Sequence, residues 1–71
     1  MEPYESLANA IILRAVEDYR AARMKLKLNP EYGPALELAK DCESFFLSEW
    51  FSLLTKVDGA VLLKRLQEEA E

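Results

Sequence analysis

The 71-residue chain contains no histidine and a single cysteine, Cys42. One cysteine cannot form an internal disulfide, and without histidine or further thiols the usual structural zinc sites are excluded. A nucleophilic cysteine also needs a base, which histidine usually supplies, so Cys42 is predicted to be a small buried hydrophobic residue. With only two glycines and three prolines, the composition is typical of an ordered helical chain.

A chain of this length forms one domain, predicted to span residues 1–71, and its stability needs explaining. A domain of this size buries only about 60% of the surface that its unfolded chain exposes. Because disulfides and zinc are excluded, the stability must come from well-packed helices, from oligomerisation, or from both.

Long hydrophobic runs are also missing. The longest near-apolar stretch, residues 10–13, is far shorter than the roughly 20 residues that a membrane span requires. Glu2 and Glu5 stand where a signal peptide would carry basic residues. A single unpaired thiol fits a reducing compartment, so we expect a cytoplasmic protein without membrane contact.

The charge is acidic overall but unevenly distributed. The net charge is −4, with five basic and four acidic side chains in residues 1–28 against four basic and nine acidic in residues 29–71. The net charge disfavours binding to nucleic acid. The uneven distribution suits a contact between copies or an anion site on helix 1, and a solvated charged face is the alternative.

The first helix is predicted from Pro3 or Ser6 to Leu28. Its apolar positions follow the spacing of one helical face: Ala8, Ile12, Ala15, Tyr19, Ala22 and Leu26. Further apolar residues lie beside this stripe, which leaves room for contact with a second copy. Residues 29–34 form a turn in which Gly33 permits a positive φ, and Pro34 suits the first turn of helix 2.

The second half of the chain is predicted to form three more helical segments. Helix 2 runs from Pro34 to Leu47, with apolar positions at Ala35, Leu38, Cys42, Phe45 and Phe46. Ser48 caps a short helix over residues 49–54, the alternative being one unbroken helix over residues 34–54. Asp58 caps a last helix from Gly59 to about Glu69, with Val57 and Leu62 as a hydrophobic staple and an apolar stripe of Leu62 or Leu63, Leu66 and Ala70.

These segments predict an all-α fold. We expect a small bundle with a long N-terminal helix, a helical hairpin and a short extra helix, completed by homo-oligomerisation. The simplest form is a C2 dimer that packs helix 1 against its mate or against the Trp50 region. The aromatic residues of positions 45–51 form either the core or an anchor in a partner's groove, and the core is favoured for Trp50 and Phe51. The residues predicted to form core or interface are Ile12, Tyr19, Phe45, Phe46, Trp50, Phe51 and Leu54.

No motif indicates catalysis, a cofactor or a metal. The sequence has no glycine-rich phosphate loop and no nucleophile elbow, and its carboxylate pairs have ordinary helix-surface spacings without the histidine of carboxylate metal centres. Residues 49–69 could be drawn as a helix-turn-helix, but the last helix is too acidic to suit a phosphate-lined groove. We therefore expect a binding protein that is not an enzyme.

A small-ligand site in an oligomer is the most specific binding hypothesis. Arginine suits bidentate phosphate contacts, and aromatic rings can stack on a base. The candidate residues are Arg14, Tyr19, Arg20, Arg23 and Trp50. Alternatively, these arginines pair with Glu17, Asp18 and the acidic second half of the chain.

The segment FFLSEWFSLLT (residues 45–55), followed by Asp58-Gly59 and the leucines at 63 and 66, resembles a family of small proteins of bacteriophages and prophages in Gram-positive hosts. The shared pattern is FF-x-SEWF-x-x-LT, preceded by a similar opening helix. Leu47 stands where this family has a basic residue, so we expect no anion role at that position. The resemblance implies a viral accessory protein expressed in the cytoplasm of a bacterial host.

Together these observations predict a non-enzymatic homo-oligomer that antagonises bacterial anti-phage immunity. It would sequester a nucleotide signal or block an effector protein. The rival hypothesis is a replication or packaging accessory factor that contacts DNA or a DNA-processing protein.

Overall fold

The computed structural model describes residues 3–69, which form four α-helices and, within that range, no strand. Their bounds are α1 Pro3–Leu28, α2 Gly33–Phe46, α3 Glu49–Leu54 and α4 Gly59–Glu69. The predicted all-α fold is confirmed, and α1 starts at the earlier of its two predicted positions. The molecule measures 41 × 19 × 19 Å, and its long axis matches the length of the 26-residue α1.

The turn between α1 and α2 lies where it was predicted, but not with the predicted glycine geometry. The amide of Asn29 still donates to Lys25, and the amide of Tyr32 donates back to Asn29 at 3.1 Å. Gly33 is the first residue of α2, and no residue of the described range has a positive φ. Gly33 therefore does not use the positive φ that it permits, because as the first residue of α2 it has the negative φ of a helix.

Helix α2 ends at Phe46, so the unbroken alternative over residues 34–54 is wrong. Leu47 is the residue that caps α2 and is not helical. The hydroxyl of Ser48 donates to the carbonyl of Phe45 at 2.6 Å and accepts from the amide of Phe51 at 3.2 Å. One side chain thus bonds both to a carbonyl in the last turn of α2 and to a free amide at the start of α3.

Asp58 caps α4 as predicted. Its carboxylate accepts hydrogen bonds from the amides of Ala60 at 2.9 Å and Val61 at 3.4 Å. The two residues of the predicted staple, Val57 and Leu62, line one groove, with Val57 more than half exposed.

The core lies between α1 and α2, which pack along each other, and α3 and α4 pack against this pair. Tyr19, Phe46 and Phe51 are the largest fully buried side chains. The smaller core residues are Ala22, Ala35, Ala39, Cys42, Leu63 and Leu66. The buried position of the last helix is therefore Leu63, while Leu62 is partly buried and packs against the core. Ala70 lies outside the described residues.

Two predicted positions of α2 need correction. Leu38 was expected on the inward face but is 37% exposed, whereas Ala39, which was not predicted, is buried. The buried residues of α2 repeat at intervals of three or four from Ala35, so the inward face passes through Ala39 and leaves Leu38 at its edge.

The aromatic cluster divides between the core and the surface. Phe46 and Phe51 are each 1% exposed, with ring centroids 5.8 Å apart, and Phe45 is partly buried beside them. Trp50 is 55% exposed, so its placement in the core was wrong. Consecutive residues of a short helix lie about 100° apart, and α3 can turn only one of its two neighbouring aromatic side chains inward. Of the remaining core or interface set, Ile12 and Leu54 are half-buried.

Candidate functional site

The exposed Trp50 lies in a groove where α1, α2 and α3 meet. Its ring makes an edge-to-face contact with Phe45 at 5.3 Å between centroids. The groove has a volume of about 320 Å³. We call it the Trp50 surface; its lining residues are Ile11, Arg14, Ala15, Asp18, Leu38, Asp41, Cys42, Phe45 and Trp50.

Charged side chains border the Trp50 surface. Arg14 pairs with Asp18, one helical turn further on, at 3.3 Å, and both side chains are solvent-exposed to a large degree. Such a surface pair contributes roughly 0–1 kcal/mol to stability. An aromatic centre with a charged border is the usual composition of a protein-binding surface.

A second cleft lies between the last turns of α1 and α4. It has a volume of about 240 Å³ and is lined by Arg20, Arg23, Met24, Lys27, Leu66 and Glu69. The Nε and Nη2 atoms of Arg20 each donate to a different carboxylate oxygen of Glu69, both at 3.0 Å. Arg23 donates to the carbonyl of Gln67 at 3.3 Å, and its guanidinium lies 6.0 Å from the centre of the Tyr19 ring.

Tyr19 lies between the two sites and belongs to neither. Its ring is fully buried, packs edge-to-face against Phe46, and its hydroxyl donates to Glu43 at 2.8 Å. Burial, with a further contribution from the Glu43 carboxylate, raises the pKa of the Tyr19 hydroxyl. A ring enclosed by the core is not available to stack on a nucleotide base, so the proposed ligand role of Tyr19 is corrected to a structural one.

A third groove, without charged side chains, lies between α1 and the segment that joins α3 to α4. Its volume is about 400 Å³. Its lining residues are Asn9, Ile12, Leu13, Val16, Phe51, Thr55, Val57 and Leu62. Leu13 and Val57 are 60% and 55% exposed, so apolar surface remains in contact with solvent here.

Cys42 has the environment of a structural residue. It is 6% exposed, and burial raises the pKa of its thiol, with smaller contributions from Asp18, Asp41 and Glu43. A raised pKa keeps the thiol protonated, which is the opposite of what a nucleophile needs. Within residues 3–69 no group of three histidine, cysteine, aspartate or glutamate side chains could hold a metal ion. None of the helices in this range has the length and apolar character of a membrane span.

The five predicted ligand residues are therefore not brought together in one protomer. Arg14 and Trp50 share one groove, Arg20 and Arg23 share the other, and Tyr19 is in the core. The alternative pairing with acidic residues holds for Arg14 with Asp18 and for Arg20 with Glu69.

Sequence reasoning missed Lys27 and Glu69 as members of the α1–α4 cleft. The sequence does indicate Lys27, because Arg20, Arg23 and Lys27 follow the i, i+3, i+7 spacing of one helical face. No local pattern singles out Glu69 within the acidic second half of the chain, because it is 49 residues away from Arg20.

The described fold is a small all-α bundle. Compared with known proteins, the chain matches no family model, no curated protein and no solved structure. The function of this chain is therefore inferred from the geometry of its surface grooves.

Proposed function

We propose that this chain is a non-enzymatic bacteriophage accessory protein that acts by stoichiometric binding in the cytoplasm of its host. Its role would be to antagonise bacterial anti-phage immunity, by blocking an effector protein or by sequestering a nucleotide signal. The phage context comes from the resemblance of residues 45–55 to the FF-x-SEWF-x-x-LT pattern. The binding mode is supported by the surface of the bundle.

The observation that carries the proposal is the 55% exposure of Trp50. Tryptophan is among the residues that contribute most to binding at protein interfaces, typically near the centre of a contact. Phe45 holds the indole from one side, so the ring is presented in a defined orientation. This arrangement favours the effector-blocking form, with Trp50 as the anchor and the charges of Arg14, Asp18 and Asp41 around it.

Self-association belongs to the same proposal, on a different surface. Permanent homodimer contacts are more apolar than transient ones, and the groove around Leu13 and Val57 has no charged lining residue. We assign this groove to a second copy, in a C2 dimer that packs α1 against its mate. The Trp50 surface then stays open for the effector.

A plaque assay tests the effector-blocking form. Wild-type protein is expressed in bacteria that each carry one cloned anti-phage immune system, and plating efficiency of a sensitive phage is measured. We expect plating to be restored against at least one system, and Trp50→Ala to lose that effect. Leu53→Ala is the matched control, because Leu53 is also on α3, is 75% exposed and does not line the Trp50 surface. Equal activity of Trp50→Ala and wild type contradicts the proposed surface.

Calorimetric titration tests the sequestration form. The ligands are a panel of cyclic oligonucleotides and ADP-ribose-type nucleotides. Binding heat with one of them supports sequestration, whereas no heat with any of them leaves the effector-blocking form alone.

Light scattering tests the dimer. We expect a particle of twice 8.1 kDa at micromolar concentration, and dissociation in Leu13→Glu. Leu53→Glu adds the same charge at an exposed leucine outside the groove and should remain dimeric. A wild-type particle of 8.1 kDa rejects self-association.

A further inference from the structure

The α1–α4 cleft concentrates positive charge in an acidic protein. Among residues 3–69, Arg20, Arg23 and Lys27 line it together with a single carboxylate, that of Glu69. These lining residues therefore have a surplus of two positive charges, although the chain as a whole has a net charge of −4. A local surplus of this kind attracts an anion that the rest of the surface repels.

The contact between Arg20 and Glu69 shows which chemistry the cleft recognises. Two guanidinium nitrogens of Arg20 each bind a separate oxygen at 3.0 Å. This parallel, two-bond geometry is the one by which arginine recognises both carboxylates and phosphates. Glu69 thus occupies a position that a phosphate group can take with the same donors.

Glu69 is a weak occupant of that position. It is in the last turn of α4, where the helix dipole disfavours negative charge, and it follows another carboxylate, Glu68. Both partners are more than half exposed, at 57% for the Arg20 side chain and 52% for the Glu69 side chain. Exposed ion pairs of this type contribute little, so a ligand with more than one negative charge competes with Glu69 effectively.

The rest of the cleft can contact such a ligand further. Within the described part of the chain, Arg23 donates one hydrogen bond, at 3.3 Å, to the carbonyl of Gln67, although a guanidinium has five N–H donors. Lys27 is exposed one turn further along α1. Met24 and Leu66 supply an apolar wall. The volume of about 240 Å³ is below the range of typical sites for drug-sized ligands, which favours a compact anion over a whole dinucleotide.

We propose that the α1–α4 cleft of one protomer binds a diphosphate group, and that Glu69 is an internal competitor displaced by the ligand. Arg20 binds one phosphate bidentately, Arg23 and Lys27 bind the second, and Trp50 takes no part. The inference deepens the nucleotide form of the proposed function and rests on it only for the origin of the diphosphate. Inorganic pyrophosphate and ADP share the required chemistry and serve as the two probes.

The test is a calorimetric titration of the full chain with pyrophosphate at constant ionic strength. We expect Glu69→Gln to bind pyrophosphate about two- to fivefold more tightly than Glu68→Gln, a range that corresponds to the free energy of an exposed ion pair. Glu68→Gln is the matched control, because it removes the same charge from the neighbouring residue, which does not line the cleft. Equal affinities of the two variants overturn the competitor role of Glu69.

A second variant tests the arginine contact. Arg20→Gln should weaken pyrophosphate binding by about tenfold or more, because the bidentate contact is lost. Arg65→Gln removes an equivalent charge from an exposed residue that does not line the cleft, and this variant should bind as wild type does. Absence of pyrophosphate binding by both wild type and Glu69→Gln at millimolar ligand overturns the site.

The ADP titration separates the two sources of the diphosphate. ADP binding at least as tight as that of pyrophosphate, and tighter in Glu69→Gln, supports a nucleotide ligand. Binding of pyrophosphate without ADP supports the cleft and overturns the nucleotide origin. Neither result depends on Trp50, so failure of the cleft and failure of the effector-blocking surface are distinguishable.

Discussion

The hydroxyl of Tyr19 in α1 donates a 2.8 Å hydrogen bond to a carboxylate oxygen of Glu43 in α2. The ring that carries this hydroxyl is fully buried against Phe46. The hydrogen bond to Glu43 therefore lies at the edge of an apolar contact. We expect Tyr19→Phe to lower the free energy of unfolding by about 1–2 kcal/mol, since a hydrogen bond to a charged group is lost while the ring packing remains. Urea denaturation at pH 7 measures this difference, and Tyr32→Phe, at a 42% exposed position, should change it little.

The same contact predicts a loss of stability at alkaline pH. Burial, and then Glu43, raise the pKa of Tyr19 above its ordinary value of 10.0, while Gln67, and then Arg23, lower it to a smaller extent. In the unfolded chain the hydroxyl ionises at its ordinary pKa. The contribution of Tyr19 to the free energy of unfolding is therefore fully present below pH 10 and declines as pH rises toward the folded-state pKa.

Denaturation curves between pH 8 and pH 11 check this pH dependence. Wild type and Tyr32→Phe should lose stability more steeply than Tyr19→Phe. The three proteins differ only at residues 19 and 32, so the comparison isolates Tyr19. Parallel declines in wild type and Tyr19→Phe contradict the assignment.

Two neighbouring aromatic residues of α3 should respond very differently to truncation. Phe51 is 1% exposed in the core, so Phe51→Ala should cost about 3–5 kcal/mol. Trp50 is 55% exposed and contacts Phe45, so Trp50→Ala should cost only about 1 kcal/mol. Chemical denaturation followed by circular dichroism measures both. Comparable losses in the two variants would show that the indole is interior.

Local signals in the sequence were sufficient for most of the fold. Ser48 and Asp58 identify the starts of α3 and α4, because a capping side chain bonds to amides only two or three residues away. The apolar spacing of α1 likewise identifies Ala8, Tyr19 and Ala22 as inward-facing. Such signals act within one or two helical turns, so one sequence contains them completely.

The sites depend on relationships that no local pattern contains. Arg20 and Glu69 meet only because the last turn of α4 lies beside the second half of α1. The orientation of α3 decides whether Trp50 or Phe51 turns inward. Both depend on how the helices dock, which is determined by packing across the whole bundle. The sequence therefore predicts the helices well and the grouping of Arg14, Arg20 and Trp50 poorly.

The break between α2 and α3 should depend on the hydroxyl of Ser48. Ser48→Ala removes the bond that the hydroxyl donates to Phe45 and the one it accepts from Phe51, so we expect a loss of about 1–2 kcal/mol. Ser52→Ala is the control, because Ser52 is exposed in the middle of α3. Thermal unfolding of both variants provides the measurement. An equal stability of Ser48→Ala and wild type would mean that Leu47 and its neighbours break the helix without the cap.

Two glycines at the starts of helices should differ in the size of their response to alanine. An added Cβ at Gly59 would overlap the backbone carbonyl oxygen of Phe46 and lie 3.1 Å from Cδ1 of Phe51. The backbone of α2 cannot move away without disturbing the packing of Phe46, so Gly59→Ala should destabilise the fold by about 1–3 kcal/mol. At Gly33 nothing lies within 4 Å of the added carbon.

Gly33→Ala is the matched control. The added carbon meets no atom beyond the chain neighbours, but Pro34 disfavours a helical backbone at a preceding residue that has a Cβ, which offsets the entropic gain of replacing glycine. We therefore expect a change of less than about 1 kcal/mol. In a domain of this size each kcal/mol shifts the melting temperature by roughly 4–8 °C, which makes the difference between the two variants measurable by calorimetry. Since both glycines start a helix, intrinsic propensity alone predicts the same response for both. A rise in melting temperature for Gly59→Ala would mean that α4 does not approach the end of α2 as closely as described, and the placement of Phe51 beneath Gly59 would fail with it.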